Sequence, residues 1–129
     1  MKQESGSLSV LLAGYLALAV LLGVSMGAVG ISILAKNRVQ AVADSAVLYA
    51  HDRAVRKGIP DRVKLEAAVV KFLASAPSAM QLQVARVEAQ VRGNESSIVL
   101  CARHKDPMGV EIKSGLICRT AFAKSFLVD

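Results

Sequence analysis

Residues 11–34 read LLAGYLALAVLLGVSMGAVGISIL, and Lys36-Asn37-Arg38 follows after a single alanine. Residues 5–35 carry no charge. A bilayer core of roughly 30 Å is crossed by about 20 apolar helical residues, so this run is long enough to span with some tilt. A removed secretory signal differs in two ways. Its apolar region runs only about 7 to 15 residues, and it ends in a small-residue cleavage site before a polar mature chain. Here the run is longer and the sequence beyond it continues as helix. The expectation is a retained transmembrane helix over residues 7–35, with membrane lipid as its surroundings, and a small domain over residues 36–129.

Beyond Lys36-Asn37-Arg38 the helical pattern persists. Val39, Val42, Ala43, Ala46 and Ala50 recur at three- and four-residue spacing, while Gln40, Asp44, His51 and Asp52 fall largely on the other side. Neither Gly nor Pro intervenes before Gly58 and Pro60. One helix of about 45 to 50 residues is therefore expected, its first half in lipid and its second half a stalk in water, ending near Arg56. Lys57-Gly58-Ile59-Pro60-Asp61 breaks it, with Gly58 suited to a helix C-terminus and Pro60-Asp61 to a new N-terminus. A second helix runs to about Ser75. Val63, Ala67, Val70, Leu73 and Ala74 with Leu65, Val69 and Phe72 read as one broad buried face, and Pro77 closes the helix.

From Leu82 the period becomes two. Leu82 and Val84 are followed by Val87, Ala89 and Val91, with an offset at Ala85-Arg86 that suits a bulge. Gly93-Asn94-Glu95 reads as a turn, Ile98, Leu100 and Ala102 alternating with Val99, Cys101 and Arg103 as a second strand, and residues 116–123 as a third. The segment 104–115 is long for a tight hairpin and is expected to be an exposed loop. The fold class is α+β: a long N-terminal helix, a short second helix and a three-stranded antiparallel sheet, one face of which packs on helix.

Gly6-Ser7 just before the apolar run, the run itself, and Asn37-Arg38-Val39-Gln40-Ala41-Val42-Ala43-Asp44-Ser45-Ala46-Val47-Leu48-Tyr49-Ala50 beyond it resemble the TadE/TadG-like minor pilins, especially the short TadE-like proteins of actinobacterial tight-adherence loci. The most specific part is the Arg-x-Gln-x-x-Ala-Asp-x-Ala segment starting at Arg38. The resemblance implies a structural subunit of a type IV-like pilus or secretion system, its partners being other pilin-like subunits and the assembly machinery. It implies a cytoplasmic N-terminus, a helix serving first as membrane anchor and later as filament core, and a small domain outside the cytoplasm. It also implies that a prepilin peptidase cuts between Gly6 and Ser7 and releases a leader of residues 1–6. Many pilins carry Glu at the fifth mature position, where this chain has Leu11. The alternative is a single-pass envelope binding protein that is never cleaved.

Several smaller patterns have competing readings. Gly23-Val24-Ser25-Met26-Gly27 matches the G-x-S-x-G of hydrolase elbows, but an elbow needs a strand before it and a helix after it, and this one lies inside an apolar helix. Ala19, Gly23 and Gly27 instead place small side chains on one helix face, either for close helix packing or as the ordinary glycine excess of membrane helices. Cys101 and Cys118, the only cysteines, lie on neighbouring strands in this reading, either bridged in an oxidising exterior or buried as thiols. Cys101 and His104 have zinc-like spacing, yet Cys118 and His51 would have to complete the site from distant elements, so no metal is assigned. Arg53, Arg56, Lys57, Arg62 and Lys64 form a basic set that reads as a solvated face or a site for lipid headgroups or an acidic partner.

The formal net charge of +6 lies wholly beyond the anchor, because Lys2 and Glu4 cancel. It suits anionic lipid, wall polymer, nucleic acid or an acidic protein and does not choose among them. Few aromatics and no stacking set in a strand argue against nucleic acid. No paired carboxylate, histidine-based triad or glycine-rich phosphate loop is present, so an enzyme, a cofactor and a small-molecule substrate are not expected. On topology the signals conflict: Lys36 and Arg38 after the anchor favour a cytoplasmic domain, whereas the pilin resemblance and the cysteines favour an extracytoplasmic one, which is the reading adopted.

Overall fold

The computed structural model describes residues 4–56, 59–104 and 115–126, without the side chains of residues 4–6, 28 and 104. Of the expected break over 57–61, Lys57 and Gly58 lie outside the described residues, as do residues 105–114 of the loop expected over 104–115, whose first residue, His104, instead ends a strand. The order of elements is α1 (Glu4–Ala54), β1 (Val55–Arg56), β2 (Ile59–Pro60), α2 (Arg62–Ser75), α3 (Pro77–Met80), β3 (Leu82–Arg92), β4 (Glu95–His104) and β5 (Ile117–Lys124). The α+β architecture of a long helix, a short helix and a three-stranded antiparallel sheet is thus present, in the meander order β3-β4-β5.

The chain divides into two compact units, Met1–Leu34 and Ala35–Asp129. Every described side chain from residue 7 to residue 34 is exposed. This part of α1 is long and apolar enough to cross a membrane. Ala35 is buried with the second unit, one residue earlier than the sequence boundary.

The remaining part of α1 is the central helix of the second unit's core. Val39, Val42, Ala43, Ala46, Val47, Ala50 and Ala54 are all buried, in one cluster with Leu65 and Val69 of α2 and with Ala89, Ile98, Leu100, Ala102, Ala121 and Ala123 of the sheet. The alanines are the reason this core can close in so few residues. A helix face of small side chains lets its backbone lie close to the sheet, and buried branched residues at Val39, Val47, Ile98 and Leu100 fill the space that remains.

The helix stops at Ala54, two residues short of expectation, because Val55 and Arg56 turn back to pair with Pro60 and Ile59. Asp61 N–H donates to the Ala54 carbonyl at 3.1 Å and closes the reversal. Asp61 then starts α2 as its N-cap, its carboxylate accepting from Val63 N–H at 2.9 Å and Lys64 N–H at 3.5 Å. The α2 face is narrower than the sequence suggested. Leu65 and Val69 are buried and Phe72 and Leu73 partly so, but Val63 is 74% and Val70 63% exposed, with Ala67 and Ala74 also in solvent. Helix α2 packs on the unit along one side only, so four of its nine apolar positions are exposed. Pro77, expected only to end α2, begins the extra turn α3 at a position where its missing N–H costs nothing.

In the sheet, β3 and β4 pair from Leu82↔His104 to Arg92↔Glu95, and the register shifts between Val84 and Arg86 at the expected bulge. Glu95 belongs to β4, so the turn is Gly93-Asn94, with Gly93 at φ 59°, which glycine adopts without steric penalty. Strand β5 is one residue later than expected at each end.

Candidate functional site

Among the described residues no group of three or more metal-ligating side chains occurs, and the chemistry-bearing features lie at three separate places. The first is the apolar half of α1. A Cβ built on Gly14, Gly23, Gly27 or Gly30 meets nothing within 4 Å. Gly23 and Gly27 therefore have room for a partner, Ala19 on the same face is exposed, and Gly30, three residues past Gly27, extends that face by one turn. Sequence reading overlooked Gly30, although the i+3 spacing carries the signal. Ser25 Oγ donates to the Leu21 carbonyl at 2.9 Å and the Leu22 carbonyl at 3.0 Å. The G-x-S-x-G motif is thus plain helix. Gly6 and Ser7 both fall within α1, with the Gly6 surroundings outside the described set.

The second place is the sheet face turned away from the core. Cys101 and Cys118 are directly opposite on β4 and β5 and are bonded Sγ to Sγ at 2.05 Å, with Cα atoms 4.0 Å apart. Val99 and Thr120 form the next rung and Ser97 and Phe122 the one after, flanked on β3 by the ion pair of Arg86 and Glu88. Both sulfurs are occupied by each other, and neither can serve as a zinc thiolate.

The third place is a histidine that sequence reading set on the polar side of α1. His51 Nδ1 lies 2.8 Å from Ser96 Oγ, and Ser96 is fully buried. His51 Nε2 is also buried, without a hydrogen-bond partner. Burial holds the His51 pKa below its ordinary value of 6.5, partly offset by the Asp52 carboxylate. A serine and histidine at this distance resemble the first two members of a nucleophilic triad, but the Ser96 hydroxyl is buried in the core, and among the described residues no acid orients the second ring nitrogen. The pair anchors α1 to β4. Ser96, at the edge of an otherwise apolar run, was the only sequence sign of it.

The basic set at the helix break does not act as one patch. The Arg53 guanidinium stacks 4.2 Å above the Tyr49 ring, which in turn packs on Phe72 at 5.3 Å, and Arg62 pairs with Glu66 at 3.2 Å. Asp44 accepts from Gln40 Nε2 at 2.8 Å on the exposed side of α1. No protein-family model, curated protein or solved structure matches this chain.

Proposed function

We propose that this chain is a pilin-like structural subunit of a tight-adherence, type IV-like pilus or secretion system, anchored by its N-terminal helix and acting through assembly rather than catalysis. One observation carries the reading. A single helix, α1, has a wholly exposed apolar half and a domain half that buries one face in the core. An apolar surface of that length requires lipid or other apolar helices around it, and the resemblance to pilins implies that assembly exchanges the first for the second. The Ala19, Gly23 and Gly27 face would give close lateral packing once subunits meet. The Cys101–Cys118 bridge supports an extracytoplasmic domain, since such bonds persist in oxidising compartments.

Leu11, at the position where many pilins carry Glu, favours a second reading, a single-pass envelope binding protein that keeps its leader. Intact mass of the protein from membranes of cells possessing a prepilin peptidase separates the two. Loss of residues 1–6, abolished by Gly6→Leu, is the expected outcome for a pilin-like subunit. A wild-type mass that retains those six residues would establish the uncleaved anchor.

A further inference from the structure

Among the described residues, charge is unevenly distributed over the second unit. The end at which it begins, at Ala35, comprises the start of its α1 portion, α3, and the sheet end where Leu82 pairs with His104 and Ala102 with Ile117. Arg38 Nη1 donates to Gln81 Oε1 at 3.0 Å and ties α1 to the residue that joins α3 to β3. Lys36, Arg38 and Arg103 are exposed at this end. The described acids of the unit are all elsewhere: Asp44 and Asp52 further along α1, Asp61 and Glu66 at α2, Glu88 and Glu95 toward the hairpin. Two apolar side chains are exposed at the same end, Met80 at 63% and Leu116 at 48%.

Lys36 follows Leu34, the last residue of the apolar unit, by two positions, a rise of about 3 Å along α1. The basic end of the domain is therefore tethered where the apolar segment ends. We propose that Lys36, Arg38 and Arg103, with Met80 and Leu116, form a membrane-contacting face that binds the anionic headgroups of the bilayer the anchor crosses. This rests on the anchor reading above. Basic side chains beside an anionic leaflet gain about fivefold in partition each, within a Debye length of roughly 10 Å, and an exposed thioether and leucine enter the headgroup boundary. The set at Arg53, Arg56, Arg62 and Lys64 does not share this role. Arg53 is about 27 Å along α1 from Ala35.

The test places nitroxide labels on the full-length, oxidised chain at Leu18→Cys, Met80→Cys and Phe122→Cys, in vesicles of phosphatidylcholine alone or mixed with phosphatidylglycerol. Accessibility to oxygen and to a water-soluble nickel chelate reports depth. The expected result is Leu18 in lipid, Phe122 in water, and Met80 shielded from nickel several-fold more with phosphatidylglycerol than without. That shielding should vanish in the Lys36→Gln, Arg38→Gln, Arg103→Gln variant. Met80 fully in water beside a lipid-buried Leu18 would overturn this proposal alone. Leu18 in water would overturn the anchor reading and this proposal with it.

Discussion

Cys101 and Cys118 enclose a segment with a sequence separation of 17 and join the central strand to an edge strand of a three-stranded sheet. Loop-entropy arithmetic puts such a bond at about 3 kcal/mol, a large share of the stability of so small a core. Cys118→Ser should lower the unfolding free energy of the oxidised protein by about that amount, read as a lower denaturant midpoint. His51 is the second residue with a definite consequence. Its folded pKa is depressed by burial, so on acidification the unfolded chain takes up the proton first, and the stability present above the ordinary value of 6.5 is lost as pH falls toward the folded value. Between about pH 7.5 and 5.5 the wild-type midpoint should fall, and His51→Gln should flatten that slope. An unchanged slope in the variant would assign the loss to other groups.

At the scale of the element, α1 joins two chemistries in one uninterrupted run of backbone hydrogen bonds. Its continuity was legible because neither proline nor glycine falls between Gly30 and Gly58 and the alanine and valine stripe survives the change from apolar to charged flanks. If its glycine face packs against neighbouring subunits, Gly27→Leu should reduce cross-linked oligomers in the membrane more than Leu21→Ala does, since a leucine side chain holds two backbones apart while Leu21 lies off that face. Equal yields would remove the face from assembly. Helix α2 shows the limit of the same method. Val63, Ala67, Val70 and Ala74 are as apolar as Leu65 and Val69, and periodicity assigns all of them to the core, but a helix docked on one side buries only the residues that side presents.

For the whole molecule, sidedness governs every assembly argument. A domain outside the cytoplasm should let Ala67→Cys, on the solvent side of α2, react with a membrane-impermeant maleimide in intact cells. Labelling that begins only after lysis would place the domain in the cytoplasm and agree with the positive flank of Lys36 and Arg38. The bulge after Val84, the Gly93-Asn94 turn and the pairing of β3 with β4 could all be read in advance, because each is a local event written in spacing and in a residue that tolerates positive φ.

What the sequence by itself determined is whatever local physics dictates: an apolar run long enough to cross a membrane, a helix without breakers, strands of period two, and two cysteines on adjoining strands. Tertiary structure alone decided which of several apolar faces is buried, that the chain past Ala54 folds back onto Ile59 and Pro60, and that Ser96 is buried against His51. Periodicity records that a side chain is apolar or polar, but burial depends on what lies opposite. His51 looked like a solvent residue until a serine 45 positions away supplied its hydrogen bond.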